Sequence, residues 1–433
     1  MSIKISNKSF YKRHKEELQK YISNTNSIHL VNKLSKNKFD DQSNIYFVNT
    51  SDLIEFKNKK FNSNYETIII SDIIEVIDDI DLFLKKCKSL LTPGGKLVIS
   101  SLNTKYLWLI KIFEKLNLKE KNFTNSYINN KRISKLLNGY GFEFIKTYSR
   151  QIFPFKFFLL GSAINTISEL VFKSFNLGLR TYTIFRSSEN QHLTYKKTII
   201  IPAKNEEGNL EELLHRIPRN EKYEIIFSCG VSNDNTYELA KKLANDENYF
   251  DVKVLMQSKS GKANAVWEAA ESSSGDFIAI LDADISVEPE TIPSFFKILE
   301  EGDADFVNGT RLIYDMEKGS MRFLNMLGNR FFQYVIGIII STPLTDTLCG
   351  TKVFKKSLIN KIFWWQSTNF LFDPFGDFDL IFTAAFTGEK IVEFPIHYKS
   401  RTYGETQIYR FRDGFKLIKY MLKSLVLFNS SKW

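Results

Sequence analysis

The stretch GDFIAILDADISVEPETIP, residues 275–293, decides the fold of the second half of this 433-residue chain. Its apolar run 277–281 indicates a buried strand that ends in Asp282-Ala283-Asp284. Two carboxylates on either side of one residue at the end of a strand can offer oxygen ligands to a divalent cation such as Mg²⁺ or Mn²⁺. Aspartates also commonly cap turns, which is the alternative. The pattern predicts an α/β fold with a divalent metal held by Asp282 and Asp284.

Upstream of this stretch, two further strands each lead through a polar turn into a helix. The run TIII ends at Pro202, and either Asn205 or Asn209 would cap the helix that follows. The next strand is EIIFS, and open α/β sheets of this kind bind ligands at the carboxyl ends of their strands. The loop SKSGK, residues 258–262, precedes a predicted helix over 263–273, and its lysines suit an electrostatic clamp on a diphosphate.

Composition and charge limit the classes of protein to which the chain can belong. A length of 433 residues suffices for two domains, and 43% hydrophobic with 25% charged residues is typical of globular proteins. Three widely spaced cysteines and five scattered histidines argue against a disulfide framework and against a thiolate or imidazole metal site. The net charge of +10 favours an anionic partner. The N-terminus lacks the apolar core of a signal peptide, and neither 153–175 nor 331–340 suits a bilayer span, so we expect a cytoplasmic protein.

Residues 1–190 are predicted to form a separate Rossmann-like domain, because apolar runs alternate with helical patterns there. The stretch SDIIEVIDDIDLFLKKCKSLLTPGGKLVISS, residues 71–101, resembles the second half of class I S-adenosylmethionine methyltransferases. Those enzymes carry a Gly-rich turn after their first strand, since only glycine lets the backbone approach the cofactor closely. The corresponding residues 27–41 contain no glycine. We therefore expect a degenerate, structural domain that binds S-adenosylmethionine weakly or not at all. Residues 151–191 would complete it or join it to the next domain.

The second half carries a series of motifs whose order resembles that of family 2 glycosyltransferases. In chain order they are IPAKNEEGNL, SNDNT, KSGKANAV, LDADISVEP, NGTRL, DTLCGTKVFKK, FGDFDLIFTAA and EFPIHYKSRTYGET. Within that family the chain is most similar to the dolichyl-phosphate and polyprenyl-phosphate sugar synthase group, which adopts the GT-A fold. The resemblance implies a GT-A domain over 191–410. The whole chain also resembles bacterial fusions of a methyltransferase-like half with such a transferase.

By this resemblance the chain would be an inverting glycosyltransferase that uses a nucleotide-sugar donor. Asp282 and Asp284 would hold the metal. Asp377 or Asp379, in the stretch FGDFDL, would deprotonate the acceptor or would orient an acceptor that is already an anionic phosphate. The spacing leaves the choice between the two open, and a solvated turn before a helix over 380–387 is the alternative. The residues expected to contact the donor are Pro202, Ala203, Asn205, Glu206, Lys262 and Asp282.

Basic residues are expected to face a phosphorylated acceptor, which would be a lipid phosphate or a glycan and not a nucleic acid. Arg311 and Arg401 match basic positions that the family turns toward phosphate, and an arginine fork can engage two oxygens. Arg322 and Arg330 lie in MRFLNMLGNRFFQYVIGIII, residues 321–340, which in relatives meets the lipid-phosphate acceptor. The alternative is a core helix whose arginines extend to solvent.

The donor pocket departs from the family pattern at one place. Family members usually show a pair of aspartates after the second strand, where this chain has Cys229 and Gly230. No carboxylate is left there to accept a hydrogen bond from the nucleotide base. The choice between a uridine and a guanosine nucleotide therefore stays open.

The last segment, residues 411–433, is predicted to contain an amphipathic helix. In FRDGFKLIKYMLKSLVLF, residues 411–428, apolar residues recur at helical spacing with three lysines between them. Together with the net charge of +10, this favours peripheral attachment to the inner face of the cell membrane. The alternative is an ordinary terminal helix that covers the core.

Three other functions fit parts of the pattern. They are a bifunctional enzyme whose first half still methylates, a transferase-like scaffold without catalysis, and a nucleotidyltransferase. The four aspartates of the predicted site argue against the scaffold. A nucleotidyltransferase would usually carry a Gly-rich phosphate loop after its first strand, and PAKNEEGN is not such a loop.

Overall fold

The chain divides into two compact units, Met1–Asn190 with Phe428–Trp433, and Gln191–Leu427. Each unit is built around its own sheet. The computed structural model describes residues 7–22, 26–39, 45–50, 53–61, 64–77, 79–106, 108, 112, 130–150, 177–188, 194–313, 323–369, 373, 375–399, 403 and 410–429.

The first unit combines a six-stranded sheet with four described helices. The strands are β1 Ser27–Asn32, β2 Ile45–Val48, β3 Tyr65–Ser71, β4 Leu91–Leu102, β5 Phe142–Arg150 and β6 Arg180–Ser187. The helices are α1 Asn7–Ile22, α2 Ile54–Asn58, α3 Ile80–Leu90 and α4 Asn130–Gly139, with 3₁₀ turns at Lys33–Lys38 and Thr104–Tyr106. The sheet order is β2-β1-β3-β4-β6-β5.

The pairing in this sheet is partly parallel, as the alternation of strands and helices predicts. Strands β2, β1, β3 and β4 are parallel, whereas β6 runs antiparallel between β4 and β5, which the sequence did not indicate. Both faces are covered, because Ile68 and Ile70 join a core that includes residues of α3, while Ile69 packs with Leu18 of α1. Burial on both faces explains the three consecutive isoleucines of β3, Ile68, Ile69 and Ile70.

The segment after β1 contains a 3₁₀ helix, Lys33–Lys38, that leads to Phe39. The Phe39 ring lies edge-on to His14 and His29, with centroid distances of 5.8 and 5.3 Å. Both histidines are buried, and burial lowers the pKa of His29 to about 3. Aromatic side chains thus pack along a segment where the resembled enzymes have bare backbone.

The second unit is built on a seven-stranded mixed sheet. Its strands are β7 Lys197–Ala203, β8 Glu224–Cys229, β9 Asp251–Met256, β10 Phe277–Ile280, β11 Phe306–Thr310, β12 Lys352–Lys355 and β13 Ile391–Pro395. Its described helices are α5 Leu210–Arg216, α6 Thr236–Asp246, α7 Lys262–Ser272, α8 Ile292–Glu300, α9 Phe323–Ile340, α10 Leu358–Asn369, α11 Asp377–Thr387 and α12 Arg410–Asn429, with a 3₁₀ turn at Pro289–Thr291.

The strand order of this sheet places several strand ends at one edge. The order is β13-β11-β12-β10-β7-β8-β9, and β10, β7, β8 and β9 are parallel. Strand β12 runs antiparallel to both of its neighbours, so Lys352 at its start pairs with Ile280 at the end of β10. The carboxyl ends of β7, β8 and β10 therefore share an edge with the beginning of β12. A ligand site is expected at such an edge.

The apolar helices of the described part of the chain do not include a membrane span. No helix there is both long enough and apolar enough to cross a bilayer. Of the two apolar stretches considered from the sequence, 331–340 lies in α9, and 153–175 lies outside the described residues.

Candidate active site

An ion pair between Lys262 and Asp282 lies at the centre of the site. Asp282 follows β10, Lys262 begins α7, and the Lys262 ammonium contacts Asp282 Oδ1. Burial by itself would lower the pKa of Lys262, but the nearby carboxylates of Asp282, Asp377 and Asp284 together raise it. The Lys262 ammonium thus lies in the electric field of three carboxylates. Two of them belong to the motif LDADISVEP, and the third, Asp377, belongs to the separate motif FGDFDLIFTAA.

Asp284 is held by the turn that follows it. Its Oδ1 accepts hydrogen bonds from Ser286 N at 3.0 Å and from Ser286 Oγ at 2.6 Å, and the side chain is buried. Between them Ile285 adopts a φ of 52°, in the left-handed region that β-branched residues rarely occupy. The Asp284 carboxylate therefore caps this turn, which is the alternative that the sequence left open. The same hydrogen bonds fix the position of the carboxylate beside Asp282.

Gly350, just before β12, leaves room for the Asp282 carboxylate. A Cβ at this position would collide with Asp282 Oδ2 and would lie 2.7 Å from Lys262 Nζ. Any larger residue would have to displace the ion pair. The sequence motif DTLCGTKVFKK contains Gly350 but does not indicate its contact with Asp282, because only the antiparallel course of β12 brings Gly350 to this place.

Asp377, the first residue of α11, faces the same cluster. Its Oδ1 lies 2.5 Å from Nζ of Lys352, whose side chain is fully buried, and the Asp377 side chain is 11% exposed. Lys352 also donates to the carbonyl of Cys349. The preceding Gly376 has a φ of 80°, and a Cβ there would lie 2.9 Å from the Trp267 ring. Position 376 therefore requires glycine, because any other residue there would adopt an unfavourable backbone conformation and its side chain would collide with Trp267.

Asp379 points away from this cluster. Gln366 Nε2 donates to its Oδ2 at 2.8 Å, and the Tyr420 hydroxyl donates to its Oδ1. The side chain is inaccessible to solvent. Burial, with a further contribution from the charge of Asp373, raises the pKa of Asp379. Of the two aspartates that the sequence left as alternatives, Asp377 is the one that lies beside Lys352 and near Lys262.

The predicted donor residues lie in the loop after β7, which is tied to the loop after β8. Asn205, with a φ of 55°, donates through its N–H to Ser232 Oγ at 3.1 Å. Its Oδ1 accepts from Asn233 N at 2.7 Å. Glu206 N donates to Thr236 Oγ1 at 2.9 Å. Pro202 and Ala203 are the last two residues of β7, and α5 begins after Asn209, one of the two caps considered.

The position of the missing aspartate pair is occupied by small side chains. Cys229 ends β8 and is buried, and the side chains of Gln257 and Lys204 would lie 3.4 Å from a Cβ on Gly230. Asp234, further along the loop, accepts from Glu207 N and from Thr236 N, each at 3.2 Å. Its carboxylate therefore joins the two loops to each other.

Arg311 directly follows the carboxyl end of β11 and pairs with the buried Asp346. Its Nε and Nη2 lie 2.7 and 2.9 Å from the two oxygens of Asp346, and its N–H also donates to Asp346 Oδ2. Asn329 Nδ2 donates to Asp346 Oδ1 at 2.7 Å. In this structure the Arg311 guanidinium therefore engages a carboxylate through two nitrogen atoms, and its contact with acceptor phosphate stays a prediction.

The other predicted acceptor arginines fall in different places. Arg330 is exposed on α9. Arg322 and Arg401 lie outside the described residues.

A divalent metal fits the geometry around Asp282. In the part of the chain that the structure describes, no three His, Cys, Asp or Glu side chains converge to hold a metal by themselves. Asp282 and Asp284 would supply two hard oxygen ligands, and Mg²⁺ is commonly bound by one or two carboxylates with substrate phosphates completing the shell. Gly350 lets the Asp282 carboxylate approach the backbone before β12, where no side chain covers Asp282 Oδ2 from that position.

Comparison with known proteins defines the class of enzyme. Residues 198–363 match the sequence profile of the family described as glycosyl transferase family 2. The matched segment includes Asp282, Asp284, Lys262 and Lys352. The chain is therefore a glycosyltransferase, and the glycosyltransferase fold predicted for the second half is confirmed by this match.

The relatives are enzymes that bear transferase names. The dolichyl-phosphate hexose transferase of Haloferax volcanii is 26% identical over 52% of this chain and 92% of its own length. The dolichol-phosphate mannosyltransferase of Pyrococcus furiosus is 28% identical over 49% of this chain and 59% of its own length. The low-salt glycan biosynthesis hexosyltransferase Agl6 of Haloferax volcanii is 26% identical over 52% of both chains. The chain thus spans little more than half the length of the last two.

Among solved structures, the chain is similar to glucosyl-3-phosphoglycerate synthase from Mycobacterium tuberculosis in complex with Mn²⁺, UDP and phosphoglyceric acid. The identity is 16% and the TM-score 0.41, with 53% of this chain and 78% of that chain covered. The methyltransferase-type fold of the first unit stays a prediction.

Proposed function

We propose that the second unit transfers a sugar from a nucleotide-sugar to a phosphorylated acceptor, with inversion at the anomeric carbon. The observation that carries this proposal is the grouping of Asp282, Asp284 and Asp377 around Lys262 at the carboxyl edge of the sheet. Support comes from the family match and from relatives whose names specify dolichyl phosphate. The proposed domain bounds are 1–190, 191–410 and 411–433.

The donor would bind along the ends of β7, β8 and β10. Asp282 and Asp284 would hold Mg²⁺ or Mn²⁺, which supplies charge neutralisation for the departing nucleoside diphosphate. Lys262 would add a second positive charge beside the diphosphate. The interlocked loops that contain Asn205 and Glu206 would shape the nucleotide pocket.

Asp377 would act on the acceptor side. In the reaction an acceptor oxygen forms a bond to the anomeric carbon while the bond from that carbon to the diphosphate breaks. If the acceptor is a hydroxyl, Asp377 takes its proton, and if it is a phosphate, which is already anionic, Asp377 orients it. Lys352 would fix the direction in which the Asp377 carboxylate points, because it donates from a fully buried position.

A lipid-linked acceptor is supported by exposed apolar surface on two helices of the second unit. On α9, Leu327, Phe331 and Tyr334 are exposed at helical spacing beside Arg330. On α12, four exposed apolar residues form a stripe, accompanied by exposed Lys416 and Lys419. These four are Phe415, Ile418, Leu422 and Val426.

The stripe on α12 lies opposite the face by which the helix packs. At about 100° per residue, Leu417, Tyr420 and Ser424, all buried, fall on the other side of the helix. A helix with one face packed on protein, an apolar outer face and flanking lysines suits an anionic lipid surface. We propose peripheral attachment to the inner face of the cell membrane through α12 and α9.

For the first unit we propose a structural, methyltransferase-like domain without S-adenosylmethionine. The support is the packing of Phe39, directly after the 3₁₀ helix that follows β1, on His14 and His29.

The function is tested by incubating the full chain with radiolabelled UDP- and GDP-sugars, Mg²⁺ or Mn²⁺, and polyprenyl phosphate in vesicles. We expect label to enter the lipid phase, with the anomeric configuration of the product inverted by NMR. Polyprenol without phosphate is the control and should stay unlabelled. Equal labelling of polyprenol, or label found only on a water-soluble glycan, would rule out the lipid-phosphate acceptor.

A further inference from the structure

Helix α12 contacts the helix that carries Asp377 through one buried hydroxyl. Tyr420 is 1% exposed. Its hydroxyl accepts a hydrogen bond from Trp365 Nε1 at 2.7 Å and donates to Asp379 Oδ1. Its ring lies 6.2 Å from that of Phe378 and 6.0 Å from that of Phe382. Tyr420 thus binds both α10 and α11 from the buried face of α12.

The hydroxyl reaches α11 at a point that controls the direction of Asp377. Asp377 and Asp379 are two residues apart in the helix, so their side chains leave it about 200° apart. Lys352 holds one side of the first turn through Asp377, and Tyr420 with Gln366 holds the opposite side through Asp379. The first turn of α11 is therefore held by hydrogen bonds on two opposite sides of the helix; we call this arrangement the clamp.

The backbone before this turn does not fix its rotation alone. Asp373 accepts from Phe378 N at 2.7 Å and from Asp379 N at 3.3 Å, which closes the end of the helix. Gly376 between them has a φ of 80° and carries no side chain that could stop a rotation. A turn of the helix by ~10° would move a carboxylate about 6 Å from the axis by about 1 Å, and displacements of that size can cost ~100-fold in rate.

We propose that Tyr420 is a positioning residue for Asp377. The packing of α12 on α11 would then affect the rate of the chemical step and would not affect the affinity for the donor. This rests on the role proposed for Asp377 above. Because the opposite face of α12 carries the proposed lipid contact, one helix would serve both the membrane surface and the catalytic geometry.

The test is Tyr420→Phe, which removes the hydroxyl and keeps the ring packing. The matched control is Tyr223→Phe, since Tyr223 is also buried in the second unit and its hydroxyl makes no hydrogen bond within the described structure. We expect kcat of Tyr420→Phe to fall ~10-fold or more, with KM for the nucleotide-sugar within ~2-fold of wild type. Tyr223→Phe should match wild type. Unchanged kcat in Tyr420→Phe, or a proportional rise in KM with constant kcat, would overturn the proposal.

A second measurement separates this inference from the proposed function. Hydrogen exchange of the amides in residues 377–382 is followed in the full-length variants. We expect faster exchange in Tyr420→Phe than in Tyr223→Phe, whatever substrate the enzyme uses. Equal exchange in the two variants would overturn the clamp, whereas failure of wild type to transfer sugar would count against the proposed function alone.

Discussion

Lys352 Nζ lies 2.5 Å from Asp377 Oδ1, so the first turn of α11 is fixed to the beginning of β12 by a buried ion pair. Lys262 and Asp282 form a second pair close by. The two pairs bring together two carboxylates and two ammonium groups at the sheet edge, with Asp284 as a third carboxylate near Lys262. Such alternation of charge suits a site that must accept a diphosphate and a metal together.

Replacing either predicted metal ligand should abolish transfer without unfolding the protein. Asp282→Asn and Asp284→Asn each remove a charged oxygen from a turn, so we expect a loss of ~100-fold or more in kcat/KM and little change in Tm. Asp251→Asn is the matched control, because Asp251 is exposed at the start of β9. Activity with Mg²⁺ and Mn²⁺ is measured beside a thermal melt. Near-normal turnover in either variant would exclude that residue as a ligand.

Substitution of Asp377 should lower kcat far more than substitution of Asp379, the other aspartate at the start of α11. Asp377→Asn is expected to lose ~100-fold or more in kcat, because it removes the charged group that would act on the acceptor in the proposed reaction. Asp379→Asn should stay within ~5-fold of wild type, because the amide oxygen still accepts from Tyr420 and the Gln366 amide can turn over to match. Steady-state kinetics of both variants decides between them. The reverse ranking would assign the acceptor role to Asp379.

The buried Asp379 should make stability depend on pH. Burial raises its pKa to about 8 in the folded protein, against about 4 in an unfolded chain. The folded state keeps a proton that the unfolded state releases, so stability is greatest below about pH 4 and falls as pH rises toward 8, by at most ~1.4 kcal/mol per unit. Asp379→Asn should therefore gain stability over wild type as pH increases from 5 to 8. Calorimetric melting at both pH values tests this, with Asp251→Asn as the control that should show no such gain.

The first unit should not bind S-adenosylmethionine. The residues after β1 offer aromatic and lysine side chains where a cofactor would need exposed backbone. Titration calorimetry of the full chain with S-adenosylmethionine should give no binding heat at ligand concentrations up to ~1 mM, weaker than most cofactor sites. Micromolar affinity would show that the domain keeps a cofactor site and would favour the bifunctional enzyme.

The outer stripe of α12 should bind anionic lipid. Phe415 and Leu422 are 71% and 53% exposed, so Phe415→Glu and Leu422→Glu should leave the fold intact and reduce sedimentation with anionic vesicles. Binding of wild type should weaken with salt, since each lysine near the surface contributes about 1 kcal/mol. Ile54→Glu, at an exposed position of the first unit, is the control. If the wild-type protein does not sediment with anionic vesicles at low salt, the stripe on α12 does not bind anionic lipid.

The sequence was informative where local patterns decide the structure. The strand predicted over 277–281 is Phe277–Ile280, and the helix predicted over 263–273 is Lys262–Ser272. It could not predict the different surroundings of Asp377 and Asp379, because these depend on Lys352 and Tyr420, which reach α11 from distant positions in the chain. The pairing of Arg311 could not be predicted for the same reason. Its partner Asp346 is 35 residues away, and a phosphate-binding arginine and a buried ion-paired arginine look alike in sequence.

The antiparallel insertion of β12 between β10 and β11 has a consequence for how the enzyme is made. Asp282 emerges from synthesis well before Gly350, Lys352 and Asp377, and strands β10 and β11 cannot be bridged until β12 has been added between them. Contacts this far apart in sequence form late, because the loops that separate them must be closed first. The nascent chain therefore passes through a stage in which the proposed metal ligands have been synthesised but the proposed acceptor side has not, and we expect activity only when nearly the whole second unit has folded.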